Sequence, residues 1–295
     1  MILYEDKEIL VCRKAAGIAV QSARLGEKDL VSILNNHLAE QANMRETSGN
    51  GVKKKKAAGG TAFEPIRVVH RLDQPVEGVL VFAKTKKAAA GLSKQVTDGT
   101  MKKTYQAVCC VTEKGRKWME DSAEWHTLTD YLVKDARTNT SSVTEKGRKE
   151  AKEARLSFRI AVRYGELALA EIALDTGRHH QIRVQMAHVG LPLYGDVKYN
   201  TAWRQYVGNG AACCAADKMD VEATGKTEVP GCGEAASKAE RKISGSRSVG
   251  RSEKMEPALC ASRLEFVHPV TGKRMTFETK PERDIFKDFC FKDKE

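Results

Sequence analysis

Apolar residues alternate with polar ones at several places along the chain and predict a protein made mainly of strands. Successive side chains of a strand point to opposite faces, so a period of two marks a strand with one buried face. The predicted strands lie in ILYEDKEILVCRKAAG, at 66–69 and 79–83, in KTYQAVCCV, in ARLSFRIAVRYGELALAEIAL around a turn at 164–165, and in RLEFVHPVTGKRMTFETK around a turn at 270–272. The short turns inside three of these stretches predict antiparallel hairpins.

Three other stretches have the helical period. The first follows a predicted N-cap at Asp29, the second is Ala-rich and begins at about Thr85, and the third lies in HHQIRVQMAHVG and ends at Gly190. Strands and helices do not alternate regularly as they would in repeated βαβ units. The pattern therefore predicts an α+β fold with a central mixed, mostly antiparallel sheet and flanking helices, rather than a doubly wound sheet.

Some polar stretches show neither period. Residues 43–61 are rich in Gly and Lys and are predicted to form a basic loop insertion. Residues 112–153 are polar and are predicted to contain few strands, with DYLVKDARTNTSSV as an extended excursion. Residues 208–257 consist of small and polar residues and are predicted to be a flexible, low-complexity insertion. Residues 1–295 then form a single domain with two insertions.

The charge of the chain indicates a polyanionic partner. The formal net charge is +11, and residues 208–256 contribute equal numbers of basic and acidic side chains, eight of each. The excess therefore lies on the rest of the chain, where it can form a basic face. Such a face favours a nucleic acid over a membrane surface as the partner, although a merely basic surface would give the same count.

Other features of the composition narrow the class of protein. The N-terminus has no basic and apolar pattern typical of a secretory signal, and no apolar run approaches the roughly 20 residues of a membrane span. The eight cysteines are irregularly spaced without a C-x-x-C motif, so neither a zinc site nor a disulfide framework is predicted. These features fit a reducing cytoplasm.

The stretch VVHRLDQPVEGVLVFAK places His70, Arg71 and Asp73 in a turn between two apolar strands. A lone Asp beside a turn usually serves the turn itself. Here Pro75 fixes its own φ and restricts Gln74, so the turn is stiff. A stiff loop on buried strands can hold a reactive carboxylate in place, which makes Asp73 a candidate catalytic residue.

Arg183 is the second candidate, because it adjoins the apolar stripe of the third predicted helix. A buried Arg needs an anionic partner, and a buried carboxylate needs a cation to stay ionised. Pairing Arg183 with Asp73 would meet both needs. Ordinary surface ion pairs for the two side chains remain an open alternative.

Further candidates are an aromatic ring and a cluster of donors. Tyr105 lies in a predicted strand, where a Tyr is usually part of the core but can also stack on a base. The loop DTGRHHQ supplies Arg178, His179, His180 and Gln181, which suit phosphates or base edges. Adjacent histidines cannot share one helix face, and no carboxylate pattern accompanies them, so no metal site is predicted.

These motifs together resemble the RluA-type family of pseudouridine synthases. VVHRLDQPVEGVLVFAKT, KTYQAV, LDTGRHHQIRVQMAHVGLPLYGD and ILYEDKEILVCRKAAG match the family's motifs, and LCASRLEFVHPVTGKRMTFETKPE is similar to the end of its catalytic domain. The resemblance covers nearly the whole chain outside 43–61 and 208–257. It implies the pseudouridine synthase fold, with an active-site cleft across the sheet, and isomerisation of specific uridines in rRNA or tRNA by base flipping.

The resemblance also assigns residues and partners. Asp73 would be the essential carboxylate, Tyr105 would pack on the uracil and assist removal of the C5 proton, and Arg183 would pair with the aspartate. Arg71 would fill the gap left by the flipped base. The predicted RNA- or substrate-binding residues are His70, Arg71, Arg178, His180 and Gln181. No cofactor, metal, membrane or obligate protein partner is implied, and a monomer is expected.

Some positions differ from the family pattern. Val76-Glu77-Gly78 stands where Thr-Ser-Gly is frequent, Lys14-Ala15-Ala16-Gly17 where Lys-Pro-x-Gly is frequent, and Cys260 where His is common. None removes a proposed catalytic group, so the differences concern the choice of substrate. The N-terminal S4-type RNA-binding domain of many relatives is expected to be absent. Two alternatives remain, namely a non-catalytic RNA-binding relative and a carboxylate-dependent nucleoside hydrolase.

Overall fold

The structure is a computed structural model that describes residues 1–22, 26–48, 64–120, 124–202 and 256–289. Residues 49–61 of the predicted basic loop and nearly all of the predicted insertion at 208–257 lie outside these ranges. The predicted division of the chain into one domain with two insertions therefore stays a prediction.

Strands dominate the described residues, as the alternating pattern predicts. The strands are β1 Ile2–Glu5, β2 Ile9–Lys14, β3 Arg67–Val68, β4 Glu77–Ala83, β5 Lys102–Cys110, β6 His126–Asp135, β7 Thr140–Thr144, β8 Lys152–Tyr164, β9 Leu167–Leu174, β10 Leu259–Val267 and β11 Arg274–Glu278. The helices are α1 Leu30–Ser48, α2 Lys86–Thr97, α3 Gln181–His188 and α4 Asp284–Lys287, with a 3-10 helix at Glu113–Met119.

The eleven strands form one sheet in the order β1-β2-β4-β10-β5-β9-β8-β6-β7, with β3 also paired to β4 and β11 to β10. All of these pairs are antiparallel except β4–β10, which is parallel. The predicted α+β fold with a mixed, mostly antiparallel sheet is therefore confirmed.

Two predictions about the polar stretches are wrong. Helix α1 continues to Ser48, so residues 43–48 are helical and not part of a loop. The apolar period stops near Leu38, but Ala, Gln, Glu, Met and Arg keep a high intrinsic helix propensity. Residues 112–153 contain strands β6 and β7, so the expectation of few strands is wrong there, whereas the stretch DYLVKDARTNTSSV is extended as predicted within these two strands. Only alternate residues such as Leu128 and Leu132 are buried in β6, so polar residues hide its period.

The sheet is covered on both faces around β4, in which every residue is buried. Alternate residues of this strand enter two different core clusters: Leu80 and Phe82 pack in the cluster that contains Met186 of α3. Val79 and Val81 pack with Leu92 of α2 on the other face. Burial of both faces explains why VLVFA reads as a continuous apolar run rather than an alternating one. The loop before β4 is thus anchored to the most buried strand of the sheet.

Gly78 allows β4 to approach β10 at their parallel junction, where it pairs with Ala261. Its φ is +134°, and a Cβ there would lie 2.4 Å from the Ala261 carbonyl oxygen. Gly78→Ala is therefore expected to destabilise the protein by about 3 kcal/mol, from backbone strain and overpacking together. Urea denaturation measures the change.

The matched control is Gly99→Ala, which also has a positive φ, +73°, but no atom within 4 Å of the added Cβ. This variant should lose only about 1 kcal/mol from the unfavourable backbone conformation. Equal losses in the two variants would show that the close approach at Gly78 does not matter.

Candidate active site

The loop that carries Asp73 is held against the loop that follows β2. The Gln74 carbonyl accepts hydrogen bonds from Lys14 Nζ at 2.9 Å and from the Gly17 amide at 3.0 Å. Within the turn, the Val76 amide donates to the Asp73 carbonyl at 3.0 Å. The side chains of Leu72 and Val76 are buried on either side of Asp73, whereas the Asp73 side chain is 30% exposed. The loop is therefore fixed while its carboxylate reaches the surface.

Lys14 is an unexpected part of this support, because its side chain is fully buried. Its Nζ donates to the carbonyls of Ala15 at 3.0 Å, Ile18 at 2.8 Å and Gln74 at 2.9 Å. Burial lowers the pKa of Lys14 to about 8, although the nearby carboxylates oppose this shift. The three carbonyls match the three donors of an ammonium group, so Lys14 ties two loops together.

Arg183 lies in α3 and faces two carboxylates. Its Nη1 is 3.6 Å from Asp73 Oδ2, the contact that the sequence predicts. Its stronger partner is Asp196, whose two carboxylate oxygens each accept a hydrogen bond of 2.7 Å from the guanidinium. Both Arg183 and Asp196 are buried. Burial by itself would lower the pKa of Arg183, but the hydrogen bonds and charge of Asp196 and the charge of Asp73 raise it above the ordinary value.

His180 is the second group beside the carboxylate. It is buried, and its Nε2 lies 3.5 Å from Asp73 Oδ2. Its Nδ1 lies 2.6 Å from the Tyr199 hydroxyl, and its ring stacks on the His179 ring with 3.8 Å between centroids. Burial first, and then the charge of Arg183, lower the pKa of His180 to about 2, so the imidazole is neutral.

Tyr105 lies in β5 and is buried, at 6% exposure. Burial raises the pKa of its phenol strongly, and the charge of Asp73 raises it further. The hydroxyl therefore stays protonated at neutral pH. Tyr105 packs in the same core cluster as Leu72 and Val76, the buried residues of the loop that carries Asp73.

The side chains of the other predicted binding residues differ in their exposure and in the hydrogen bonds that they form within the protein. Arg71 is exposed, and no described residue forms a hydrogen bond or ion pair with its side chain. Arg178 is also exposed, but its Nε donates to the Glu153 carbonyl at 2.8 Å. His70 Nε2 accepts the Val81 amide at 3.2 Å, and burial lowers the pKa of His70 to about 3. This imidazole is neutral and holds the loop to β4.

The Gln181 side chain forms three hydrogen bonds inside the protein. It is buried, and its Oε1 accepts hydrogen bonds from the Thr176 hydroxyl at 2.8 Å and the Arg178 amide at 2.9 Å. Its Nε2 donates to the Arg155 carbonyl at 3.1 Å. The side chain shapes the DTGRHH loop, and its predicted contact with RNA or substrate stays a prediction.

Sequence reasoning missed Asp196, Tyr199 and Lys14. Asp196 and Tyr199 both lie in YGDVKY, a few residues after α3, where a Gly-Asp pair is typical of a turn. Asp196 could have been predicted from Arg183, because a buried Arg needs a carboxylate that accepts two hydrogen bonds and Asp196 is close to it in the sequence. Lys14 carries no comparable signal, because Lys at the end of a strand is usually exposed.

The described residues offer neither a metal-binding cluster nor a membrane-spanning helix. The described residues contain no group of three or more His, Cys, Asp or Glu side chains that could hold a metal ion. None of the helices among them is long and apolar enough to cross a membrane.

The fold and the motifs agree with comparisons to known proteins. Residues 8–188 match the family described as RNA pseudouridylate synthase. The chain belongs to this family, and the resemblance to its RluA-type members is confirmed.

Several curated relatives are similar over much of the chain. Ribosomal large subunit pseudouridine synthase D of Zymomonas mobilis is 28% identical over 286 residues, which cover 96% of this chain and 70% of that protein. The uncharacterized RNA pseudouridine synthase YlyB of Bacillus subtilis is 33% identical over 67% of this chain and 57% of its own length. The tRNA pseudouridine synthase C of Vibrio cholerae is 27% identical over 67% of this chain and 73% of its own length.

Two solved human structures have a similar fold. RNA pseudouridylate synthase domain containing 4 superposes with a TM-score of 0.58 at 20% identity, covering 96% of this chain and 88% of that one. RNA pseudouridylate synthase domain containing 1 superposes with a TM-score of 0.51 at 17% identity, covering 95% of this chain and 82% of that one. At these identities the likeness concerns the fold alone.

Proposed function

We propose that the protein is an RNA pseudouridine synthase that isomerises specific uridines, with Asp73 as the essential carboxylate. The observation that carries the proposal is a partly exposed carboxylate on a fixed loop, 3.6 Å from a buried guanidinium and 3.5 Å from a buried neutral imidazole. A carboxylate that is reachable from outside, while its polar neighbours are buried, is suited to act on a bound substrate.

The proposed reaction rearranges one nucleoside without any change in its formula. The bond from C1′ to N1 of uracil breaks, a bond from C1′ to C5 forms, C5 loses its proton and N1 gains one. Asp73 acts at C1′ as nucleophile or as the anion that stabilises positive charge on the sugar. The bond changes balance within the substrate, so the step requires no oxidant, reductant or phosphate donor.

Arg183 and Tyr105 support the carboxylate in different ways. Arg183 places a positive charge next to Asp73, and its bidentate pair with Asp196 keeps the guanidinium in position. Tyr105 is buried in the core cluster that also contains Leu72 and Val76 of the Asp73 loop, and it is suited to pack against the uracil ring. Because the pKa of its hydroxyl is raised, the packing role is favoured over a role as a base already deprotonated before the reaction.

RNA binding is assigned to the exposed basic side chains. Arg71 lies two residues before Asp73 and is exposed, so it can enter the gap that a flipped uridine leaves in the RNA. The net charge of +11 supports a polyanionic partner. Relatives named for the large ribosomal subunit and for tRNA make uridines in rRNA or tRNA the proposed substrates, and the cytoplasm the proposed location.

The test uses unmodified rRNA and tRNA transcripts incubated with the purified protein, followed by mapping of pseudouridine at single-nucleotide resolution. Pseudouridine at discrete sites is the expected result. Tight RNA binding without pseudouridine would indicate a non-catalytic relative, and release of free uracil would indicate a nucleoside hydrolase. Either of these outcomes would overturn the proposal.

A further inference from the structure

A series of polar contacts connects strand β7 to Asp73. It passes through the side chains of Tyr199 and His180, to which the proposed reaction assigns no role. The Ser141 backbone amide donates to the Tyr199 hydroxyl at 2.9 Å. The same hydroxyl lies 2.6 Å from His180 Nδ1. His180 Nε2 then faces Asp73 Oδ2 at 3.5 Å. The Arg183 guanidinium lies over the Tyr199 ring at 5.0 Å and keeps this ring in place.

The hydrogen-bond donors along this series of contacts determine which nitrogen of His180 carries the proton. A backbone amide can only donate, so the Tyr199 oxygen is an acceptor toward Ser141. The single proton of the phenol is then directed to its other neighbour among the described residues, His180 Nδ1. Burial raises the pKa of Tyr199, so this proton is present at neutral pH. Nδ1 therefore accepts, and in a neutral ring Nε2 carries the hydrogen.

The surroundings keep the ring neutral. The charged and titratable groups that act on His180 are Arg183 of its own helix, the adjacent His179, Lys198 after the helix and Lys134 of β6. All four, together with burial, lower the pKa of His180. The two ring nitrogens face Asp73, at Nε2, and the Tyr199 hydroxyl, at Nδ1. A neutral ring with its hydrogen on Nε2 points a donor, and not a charge, at the carboxylate.

We propose that His180 is a positioning residue that presents its Nε2–H to Asp73, in a tautomer held by Tyr199. This inference rests on the proposed function of Asp73. Both neighbours of the carboxylate, His180 Nε2 and Arg183 Nη1, approach the same oxygen, Oδ2. Oδ1 is thereby left for C1′ of the substrate. The contact of 3.5 Å shortens to a hydrogen bond when substrate fills the site, as catalytic contacts often do.

The backbone of His180 provides a way to separate this role from a structural one. Its φ is +53°, in the left-handed region that asparagine tolerates better than most other residues. His180→Asn therefore suits the backbone, and its amide is near the position of Nδ1 but too short to reach Asp73. His180→Gln suits the backbone less well, but its longer amide can offer an N–H near the position of Nε2.

The two variants are compared in kcat and KM on an RNA substrate that the wild type modifies. His180→Gln is expected to keep kcat within about threefold of wild type, while His180→Asn loses about tenfold or more, both with little change in KM. A purely structural role predicts the reverse order, because asparagine is the better residue for the backbone. That reverse order, or equal activities, would overturn the inference.

NMR spectroscopy can determine the tautomer of His180 directly, without a measurement of enzyme activity. The chain has seven histidines, and the His180 signals in a ¹⁵N-imidazole NMR spectrum are those lost in His180→Gln. We expect the Nε2–H tautomer in the wild type, without titration between about pH 5 and pH 8. Tyr199→Phe removes the donor to Nδ1 and should shift the tautomer ratio. An Nδ1–H tautomer in the wild type, or protonation in this range, would contradict the inference.

The outcomes also separate this inference from the proposed function. If the wild type forms no pseudouridine, the proposed function fails whatever the NMR spectrum shows. If the wild type is active but the order of the two His180 variants is reversed, only the positioning role fails.

Discussion

Asp73→Asn is expected to bind RNA about as well as the wild type and to form no pseudouridine. The amide is nearly the same size as the carboxylate but cannot act as a nucleophile, and it carries no charge to stabilise a cationic sugar. Binding comes mainly from Lys and Arg contacts to phosphates, which this substitution does not change. The measurement is tritium release from RNA that contains 5-tritiated uridine, run beside a binding titration at the same salt concentration.

The stability of this variant serves as its control. If Asp73 and Arg183 formed a fully buried pair, a loss of a few kcal/mol would be expected for this variant. The structure changes this expectation, because Asp73 is 30% exposed and Arg183 keeps its bidentate contact with Asp196. Asp73→Asn should therefore unfold at nearly the wild-type urea concentration. A soluble, folded variant then isolates the chemistry.

Two results would contradict the assignment of Asp73. Residual activity above about a tenth of wild type would mean that another group carries the reaction, since loss of an essential nucleophile costs far more. A loss of binding together with activity, in a folded variant, would mean that Asp73 shapes the RNA surface. The proposed roles of Arg71 and Tyr105 would then also need revision.

Asp196→Asn is expected to have the largest effect on stability, a loss of about 3–5 kcal/mol. Asp196 is fully buried, and its two oxygens accept the 2.7 Å hydrogen bonds from Arg183. One of the oxygens also accepts the backbone amide of Lys198 at 3.0 Å. The amide variant leaves a buried guanidinium without its main anion and gives it an N–H where an acceptor is needed. Urea denaturation of the purified variant measures the loss.

The control for Asp196→Asn is Asp175→Asn, which removes an exposed Arg–Asp ion pair joined by a single contact. Asp175 Oδ2 lies 3.0 Å from Arg155 Nε, and the side chains of Arg155 and Asp175 are 55% and 38% exposed. Water screens such a pair, so this variant should lose no more than about 1 kcal/mol. Similar losses at the two positions would show that the Arg183–Asp196 pair contributes nothing beyond a surface contact. Double replacement of Arg183 and Asp196 by apolar residues should be less damaging to stability than Asp196→Asn, because no buried guanidinium is left without its main anion and Asp73 is partly exposed to water.

The sequence by itself determined most of the local structure. The strands of the first hairpin, the hairpin β10–β11 and the turn between β8 and β9 lie where the apolar period predicts them. Thr85 and Asp29 cap their helices, with hydrogen bonds to the amides of Ala88 and Ser32. These features depend on residues close together in the chain, whose periods and caps can be read directly. The family motifs likewise pointed to Asp73, Tyr105 and Arg183.

Only the tertiary structure decided which polar groups meet. The pairing of Arg183 with Asp196, the burial of Lys14 under the Asp73 loop, and the path from Ser141 through Tyr199 to His180 join distant or unmarked positions. A single Asp, Tyr or Lys forms no periodic pattern in the sequence. Its partner is determined by how α3, β7, the Asp73 loop and the loop after β2 pack together. The same holds for β6, whose one buried face was hidden by polar neighbours until its pairing with β8 placed Leu128 and Leu132 in the core. Local sequence patterns specify the helices and strands, because periodicity and capping depend on residues close together in the chain. The site depends instead on how these elements pack, and the residues that meet there are too far apart in the sequence for a local pattern to reveal.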